Sequence, residues 1–359
     1  MAEGIIGPNG RWGSRLKAAI FHKRGGPEEV KYEDVPDPVP ADGEVLVRVR
    51  ACGMNHLDIY AREGSHGMKA PLPHIGGLEA VGEVAAGSSE ADGWRVGERV
   101  LVLPFTRDGT CSYCLAGRDN LCSSRQIIGV NLDGGFAELV KVPTSCLLRI
   151  PDQLSFLDAS AVPAAFGTAW HMLVTRAAIR PEEWVLVLAA GSGIGSAAIQ
   201  VAKRMGCTVI ATAGSPAKLE KALELGADHV IDHAAQPRFD RDVMRITGNR
   251  GVDIVFEHIG PATWRQSVAS LRVGGRLVTC GGSSGRMAET DVWNVFWKEF
   301  SLLGSMGATR KDLADVVAML GEGTVRPVID RTFPLAETRA AQEHLAARRA
   351  FGKVVIVPD

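Results

Sequence analysis

Trp184-Val-Leu-Val-Leu-Ala-Ala190-Gly191-Ser192-Gly193-Ile194-Gly195 reads as a buried strand that breaks into a glycine turn and then opens a helix. Glycines at such a turn let the backbone reverse tightly and let a pyrophosphate approach the helix N-terminus, where free N–H groups and the helix dipole favour an anion. A glycine cluster alone is a weak signal, because many turns carry one. Its place between a strand and a helix inside a βαβ unit is the context that makes it a dinucleotide site. Gly191, Ser192, Gly193, Ile194 and Gly195 are the expected binding residues.

The same grammar of apolar strand, turn and amphipathic helix repeats outward from this point. Strands are expected at 184–189, 207–212, 229–232, 252–257, 276–280 and 301–304. Helices are expected at Ile194–Met205, Pro216–Leu225 and Ala262–Leu271. Six strands joined by crossovers make an α/β fold with a doubly wound, Rossmann-type parallel sheet. Up to about residue 155 the text changes to short strands broken by Gly and Pro. In Glu44-Val-Leu-Val-Arg-Val-Arg50, Val45, Val47 and Val49 lie on one face and Arg48 and Arg50 on the other. With 96–103 and 136–142, this spacing predicts a small, partly closed, mainly antiparallel β domain. Beyond 305, helices near Arg310–Leu320 and Glu337–Arg349 precede Gly352-Lys-Val-Val-Ile-Val357, a strand returning to the first domain. The expected division is 1–160 with 305–359, and 161–304.

At 359 residues and 46% hydrophobic, the chain can bury two cores. Its 40 basic and 41 acidic residues offer no broad attraction to nucleic acid or to a membrane surface. No apolar run is long enough to cross a bilayer, and residues 1–15 lack the core of a signal peptide and read as a loose extension. Four of the seven cysteines (Cys52, Cys146, Cys207, Cys280) are scattered, which fits a reducing, cytoplasmic setting rather than a disulfide framework.

The other three crowd into Asp108-Gly-Thr-Cys111-Ser-Tyr-Cys114-Leu-Ala-Gly-Arg-Asp-Asn-Leu-Cys122, within a lobe at about 105–125. Zinc takes four ligands at tetrahedral corners, and two thiolates two residues apart chelate it without strain. Asp108, three residues before Cys111, is placed to be the fourth ligand. The plainer reading is three reduced thiols in a polar loop; their tight clustering favours one structural Zn2+ per chain. Four protein ligands would leave it no open position.

After Thr208-Val-Ile-Ala-Thr-Ala213-Gly214, an NAD site would usually hold an acidic residue for the adenosine ribose. Ala213 stands there, followed by Ser215 and Lys218, which offer a hydroxyl and a cation to a 2′-phosphate. An ordinary helix cap with a solvated lysine is the bland alternative, but the missing acid favours NADP(H).

With these motifs in place, the chain resembles the medium-chain dehydrogenase/reductase superfamily over nearly its full length. The resemblance implies a GroES-like catalytic domain beside the Rossmann domain. In that family's zinc alcohol dehydrogenases a Cys, the His of Gly-His-Glu and a later Cys or Asp hold a catalytic metal. At the matching places this chain has Asn55, Leu78 in Gly77-Leu-Glu79, and Ala164-Ala165 before Phe166-Gly-Thr168; the hydroxyl of the alcohol dehydrogenases' proton relay is replaced by Leu57. Instead, Asn55-His-Leu-Asp58-Ile-Tyr60-Ala-Arg62-Glu-Gly64 is similar to the Asn-x-x-Asp-x-Tyr-x-Arg-x-Gly segment of the quinone oxidoreductase branch, which uses NADPH and no catalytic zinc.

Without a Lewis acid the acceptor must already be electron-poor, as a quinone or an α,β-unsaturated carbonyl is. The expected catalytic residues are Asn55 as hydrogen-bond donor, with Asp58 and Tyr60 as members of the motif. His66 is a candidate proton donor where related enoyl reductases carry a tyrosine, although a solvated loop histidine is the commoner case; His56 is a near alternative. Thr168, Gly281 and Gly282 are expected beside the nicotinamide. Two other functions compete: an alcohol or aldehyde dehydrogenase with an atypical metal among His56, Asp58, His66 and Glu79, or a dinucleotide-binding sensor or structural protein without turnover. The expected partners are a small-molecule substrate and further copies of the chain, as a homodimer or homotetramer paired through the apolar edge Phe300–Gly304. Trp293 and Trp297 fit either a core or an interface.

Overall fold

The computed structural model describes residues 15–87 and 93–358; the extension expected at 1–15 lies almost wholly outside them. The chain divides into two compact units, one ending at Pro163 and resuming at Ile329, the other running from Ala164 to Val328.

The first unit holds two sheets. Arg15–Phe21 pairs antiparallel with Val30–Pro36 and with His74–Ile75. In the larger sheet Ile329–Pro334, Lys353–Val357, Glu44–Gly53, Glu79–Ala86, Arg99–Val102 and Leu147–Arg149 lie side by side, and Leu139–Pro143 also pairs with Glu44–Gly53. The pairing is antiparallel except between Ile329–Pro334 and Lys353–Val357. Val45, Val47 and Val49 are buried, as the alternation requires, while Arg50 reaches solvent and pairs with Glu83. The expected strands at 96–103 and 136–142 contract to Arg99–Val102 and Leu139–Pro143.

The second unit is a six-stranded, wholly parallel sheet: Trp184–Val187, Thr208–Ala213, His229–Asp232, Val252–Glu257, Leu271–Thr279 and Ser301–Gly304. Counted along the chain, they lie in the order third, second, first, fourth, fifth, sixth, the doubly wound Rossmann arrangement. Leu186, Ile210, Val255 and Leu277 fill its core with Phe239 and Val243. Those last two belong to a helix, Phe239–Ile246, that was not among the expected elements. Its apolar positions are Phe239, Val243, Met244 and Ile246, a helical spacing carried by four residues among charges.

One boundary moves. Helix Arg310–Gly321, expected with the first domain, belongs to the second unit because its buried Asp312 accepts from His171 Nδ1 at 2.7 Å and from Thr175. The first unit therefore resumes at 329, not 305. Among the described residues no helix is long and apolar enough to cross a membrane.

Candidate active site

Helix His56–Glu63 opens at Asn55, and the first unit gathers four polar side chains around that point. Lys353 Nζ donates to Met54 O at 2.8 Å and to Asn55 Oδ1 at 2.9 Å, and pairs with the Glu79 carboxylate. Asn55 Nδ2 donates to Glu79 Oε2 at 3.0 Å. These partners fix the amide's direction: an ammonium can only donate, so oxygen faces Lys353, and a carboxylate can only accept, so nitrogen faces Glu79. One Nδ2 hydrogen is used on Glu79. Asn55 is half-buried, whereas Glu79 and Lys353 are 0% and 4% exposed. Gly53 makes room for the pair, since a Cβ there would come 2.4 Å from Glu79 Oε2.

Asp58, expected among the catalytic groups, is buried and caps the helix. Its oxygens accept from Asn55 N at 2.7 Å and Gly77 N at 3.0 Å, tying the helix start to the segment that carries Glu79. Burial outweighs these bonds and pushes its carboxyl up to about 6. A raised carboxyl binds its proton more tightly folded than unfolded. Its contribution to stability is therefore greatest below about 3.8 and falls as pH rises toward 6. Carboxyl-carbon NMR should return a midpoint near 6 for Asp58; a midpoint at 4 or below would mean that water reaches the group.

Tyr60 and His66 come together, their rings stacked with centroids 3.9 Å apart. His66 is exposed, adopts a left-handed φ of 53° and lies 3.1 Å from Ser65 Oγ through Nδ1. His56 is farther from Tyr60, at 6.3 Å. Burial raises the Tyr60 phenol above its usual value. Arg62, the remaining motif residue, is 2% exposed and donates to Gln342 Oε1 at 2.7 Å and to Gly25 O, so it staples the helix in place.

In the second unit the glycine turn caps helix Gly193–Arg204. Ser192 Oγ accepts from Gly195 N at 2.9 Å, and Gly191, Gly193 and Ile194 complete the turn. A Cβ on Gly195 would stand 2.3 Å from Ala189 O, so only glycine lets the helix approach its strand this closely. Gly195→Ala should weaken dinucleotide binding on the order of tenfold, about 1.4 kcal/mol, read by fluorescence titration. Unchanged affinity would remove this turn from the binding site.

Gly281 and Gly282 follow the fifth strand, in a loop held to the end of the fourth where Ser284 N donates to Ile259 O at 2.8 Å. These loops flank the switch in strand order, where ligands of such sheets bind. Thr168 lies half-buried on the short helix Gly167–Trp170. His258, absent from the sequence reading, stands at the same switch. Its Nε2 donates to Leu188 O at 3.0 Å and lies 3.5 Å from Ser192 Oγ, and burial lowers its pKa, leaving a neutral ring with Nδ1 as acceptor. At the adenosine end Ala213 is buried, Ser215 makes no cap bond with its side chain and Lys218 lies one turn on. His233 adds a second unforeseen group there, since a Cβ on Gly214 would lie 3.2 Å from its Nε2.

Ligand atoms of Asp108, Cys111, Cys114 and Cys122 all lie within 4.8 Å of one another, the one such cluster among the described residues. Asp108 Oδ1 accepts from Thr110 N and Cys111 N, each at 2.9 Å, which leaves Oδ2 turned to Cys122 Sγ at 3.3 Å. Burial pushes the Cys114 thiol up to about 12, whereas backbone N–H groups bring Cys111 down to about 7. Four acidic groups this close do not ionise together without a cation, so the set fits a zinc ion. His56, Asp58, His66 and Glu79 form no comparable cluster.

Residues 41–152 match the family described as alcohol dehydrogenase GroES-like domain, and 193–322 match zinc-binding dehydrogenase. The chain is 33% identical to the acryloyl-coenzyme A reductase of Metallosphaera sedula, over 95% of this chain and 99% of that protein. It is 32% identical to an alcohol dehydrogenase of Geobacillus stearothermophilus, over 96% and 100%. The crystal structure of an NAD-dependent alcohol dehydrogenase superposes with a TM-score of 0.90 at 40% identity, covering 95% of this chain and 99% of that one.

Proposed function

The chain belongs to the medium-chain dehydrogenase/reductase superfamily, and we propose that within it this oxidoreductase uses NADPH to reduce quinones or α,β-unsaturated carbonyls without a catalytic metal. The observation that carries the proposal is the Asn55 site: an amide donor held by Lys353 and Glu79, with Leu78 where a metal ligand would be needed.

A bound nicotinamide supplies the hydride. Gly191–Gly195 would hold its pyrophosphate, Ser215 and Lys218 the adenosine 2′-phosphate, and Thr168, Gly281, Gly282 and His258 the nicotinamide half. The second Asn55 N–H would donate to the acceptor's carbonyl oxygen, where negative charge would develop on reduction. That charge is spread over an enolate or hydroquinone anion, so one good donor replaces much of what a metal supplies to an isolated alkoxide. Tyr60 and His66 provide the proton: the stacked pair places a phenol and an imidazole together, and an imidazole is suited to transfer near neutral pH. The acryloyl-coenzyme A reductase among the relatives acts on a double bond of this kind by its name, and supports the enone arm.

The test is the initial rate of NADPH oxidation against a quinone, an enone and a saturated aldehyde, repeated with NADH. Turnover of the quinone or enone with NADPH supports the proposal; turnover of the aldehyde alone overturns it. The alcohol dehydrogenase relatives keep that second reading in competition. Faster turnover with NADH would overturn the 2′-phosphate assignment only.

We further propose that copies pair through Ser301–Gly304, the edge strand of the parallel sheet, to give a homodimer or homotetramer. Beside it Trp293 and Trp297 are 64% and 69% exposed, so neither is core in the single chain. Leu302→Lys should shift the mass measured by light scattering toward one chain; an unchanged mass would place the interface elsewhere.

A further inference from the structure

We infer that Lys353 is the positioning residue of the Asn55 donor and supplies the positive charge against which the substrate oxyanion forms. This deepens the reduction reading and rests on it.

Lys353 opens the strand Lys353–Val357, whose next three residues, Val354, Val355 and Ile356, are fully buried. A lysine at 4% exposure is rare and costly unless paired. All three of its ammonium hydrogens have acceptors, in Met54 O, Asn55 Oδ1 and the Glu79 carboxylate. None is left for a substrate, so Lys353 works through Asn55.

Three effects follow. The bond to Oδ1 fixes the amide with its nitrogen outward, where a free amide could flip and present an oxygen to the oxyanion. A cation on Oδ1 draws electron density from the amide and strengthens the remaining Nδ2–H as a donor. The charge also offsets Glu79, so that an enolate is not formed beside an uncompensated buried carboxylate. The bond to Met54 O holds the backbone from which Asn55 projects.

Steady-state kinetics with NADPH and a cyclic enone test this on four proteins: the unmodified chain, Asn55→Ala, the neutral pair Glu79→Gln with Lys353→Met, and all three substitutions together. The neutral pair avoids stranding a buried charge. It should lower kcat at least about tenfold while NADPH affinity stays within about twofold. Adding Asn55→Ala to it should cost no more than about twofold further, because residues acting through one another are not additive. Losses that multiply, or an unchanged kcat in the neutral pair, would overturn the inference. Should the neutral pair fail to fold, Glu79→Gln with Lys353→Gln, which keeps a donor to Asn55 without either charge, serves instead and must also lose kcat. An unmodified chain inactive on every quinone and enone would sink the reduction reading, and this inference with it. Activity in the unmodified chain with multiplying losses would sink this inference alone.

Discussion

Asn55→Ala is expected to lower turnover of an enone or quinone at least tenfold, and toward about a hundredfold, the scale on which losing one oxyanion donor acts. Affinity for NADPH should not change, because Asn55 belongs to the first unit and the glycine turn to the second. The substitution removes the donor and also frees an ammonium hydrogen of Lys353 and one oxygen position of Glu79. Those two still pair with each other, so the variant should fold. Rapid-mixing rates give the chemical step and fluorescence titration the cofactor affinity. Turnover at the level of the unmodified chain would remove Asn55 from the mechanism. A loss confined to KM would mean that the amide binds the substrate equally in ground and transition states.

Metal analysis of the purified chain should return one zinc per chain. Stripping it with a chelator should lower the melting temperature by on the order of 10 °C while leaving ambient turnover largely intact. The size follows from linkage. A metal bound only by the folded form stabilises it, and about 4 kcal/mol shifts a domain of this size by roughly that amount. Turnover should survive because Asp108, Cys111, Cys114 and Cys122 would fill all four positions on the ion. Asp108→Cys should hold the metal more tightly, since thiolate is the softer ligand. Zinc at two per chain would overturn the metal-free active site, and none would overturn the lobe assignment.

What the sequence disclosed was local. The run Trp184–Gly195 places strand, turn and helix within a dozen residues, so periodicity and glycine spacing suffice to find the glycine turn. The cluster of Asp108 and three cysteines is legible for the same reason, with its four side chains inside fifteen residues. Lys353 was not, because nothing near it in the chain is chemical. It reads as the polar residue opening an apolar strand and acquires a role only on meeting Asn55, 298 residues away. His258 is hidden likewise, being defined by Leu188 and Ser192 in the turn after the first strand of its sheet. Helix Arg310–Gly321 was found but assigned to the wrong domain, because Asp312 shows its partners His171 and Thr175 only in three dimensions. Asp58 was read from its motif as catalytic. Only the amides of Asn55 and Gly77 on its two oxygens reveal a cap.

The interrupted course of the first unit sets a timetable for synthesis. Its sheet needs Lys353–Val357 beside Glu44–Gly53, yet the whole of 164–328 is translated between them. At 5–20 residues per second the ribosome takes roughly ten to thirty seconds over that stretch. During this interval the parallel-sheet unit can complete itself, while Glu79 has no ammonium to sit against. A nascent chain halted before residue 353 would thus carry a buried-type carboxylate that cannot be buried, and would stay open to proteases and chaperones. Completion of the reactive centre and escape from quality control would then be one event, marked by the arrival of a single lysine.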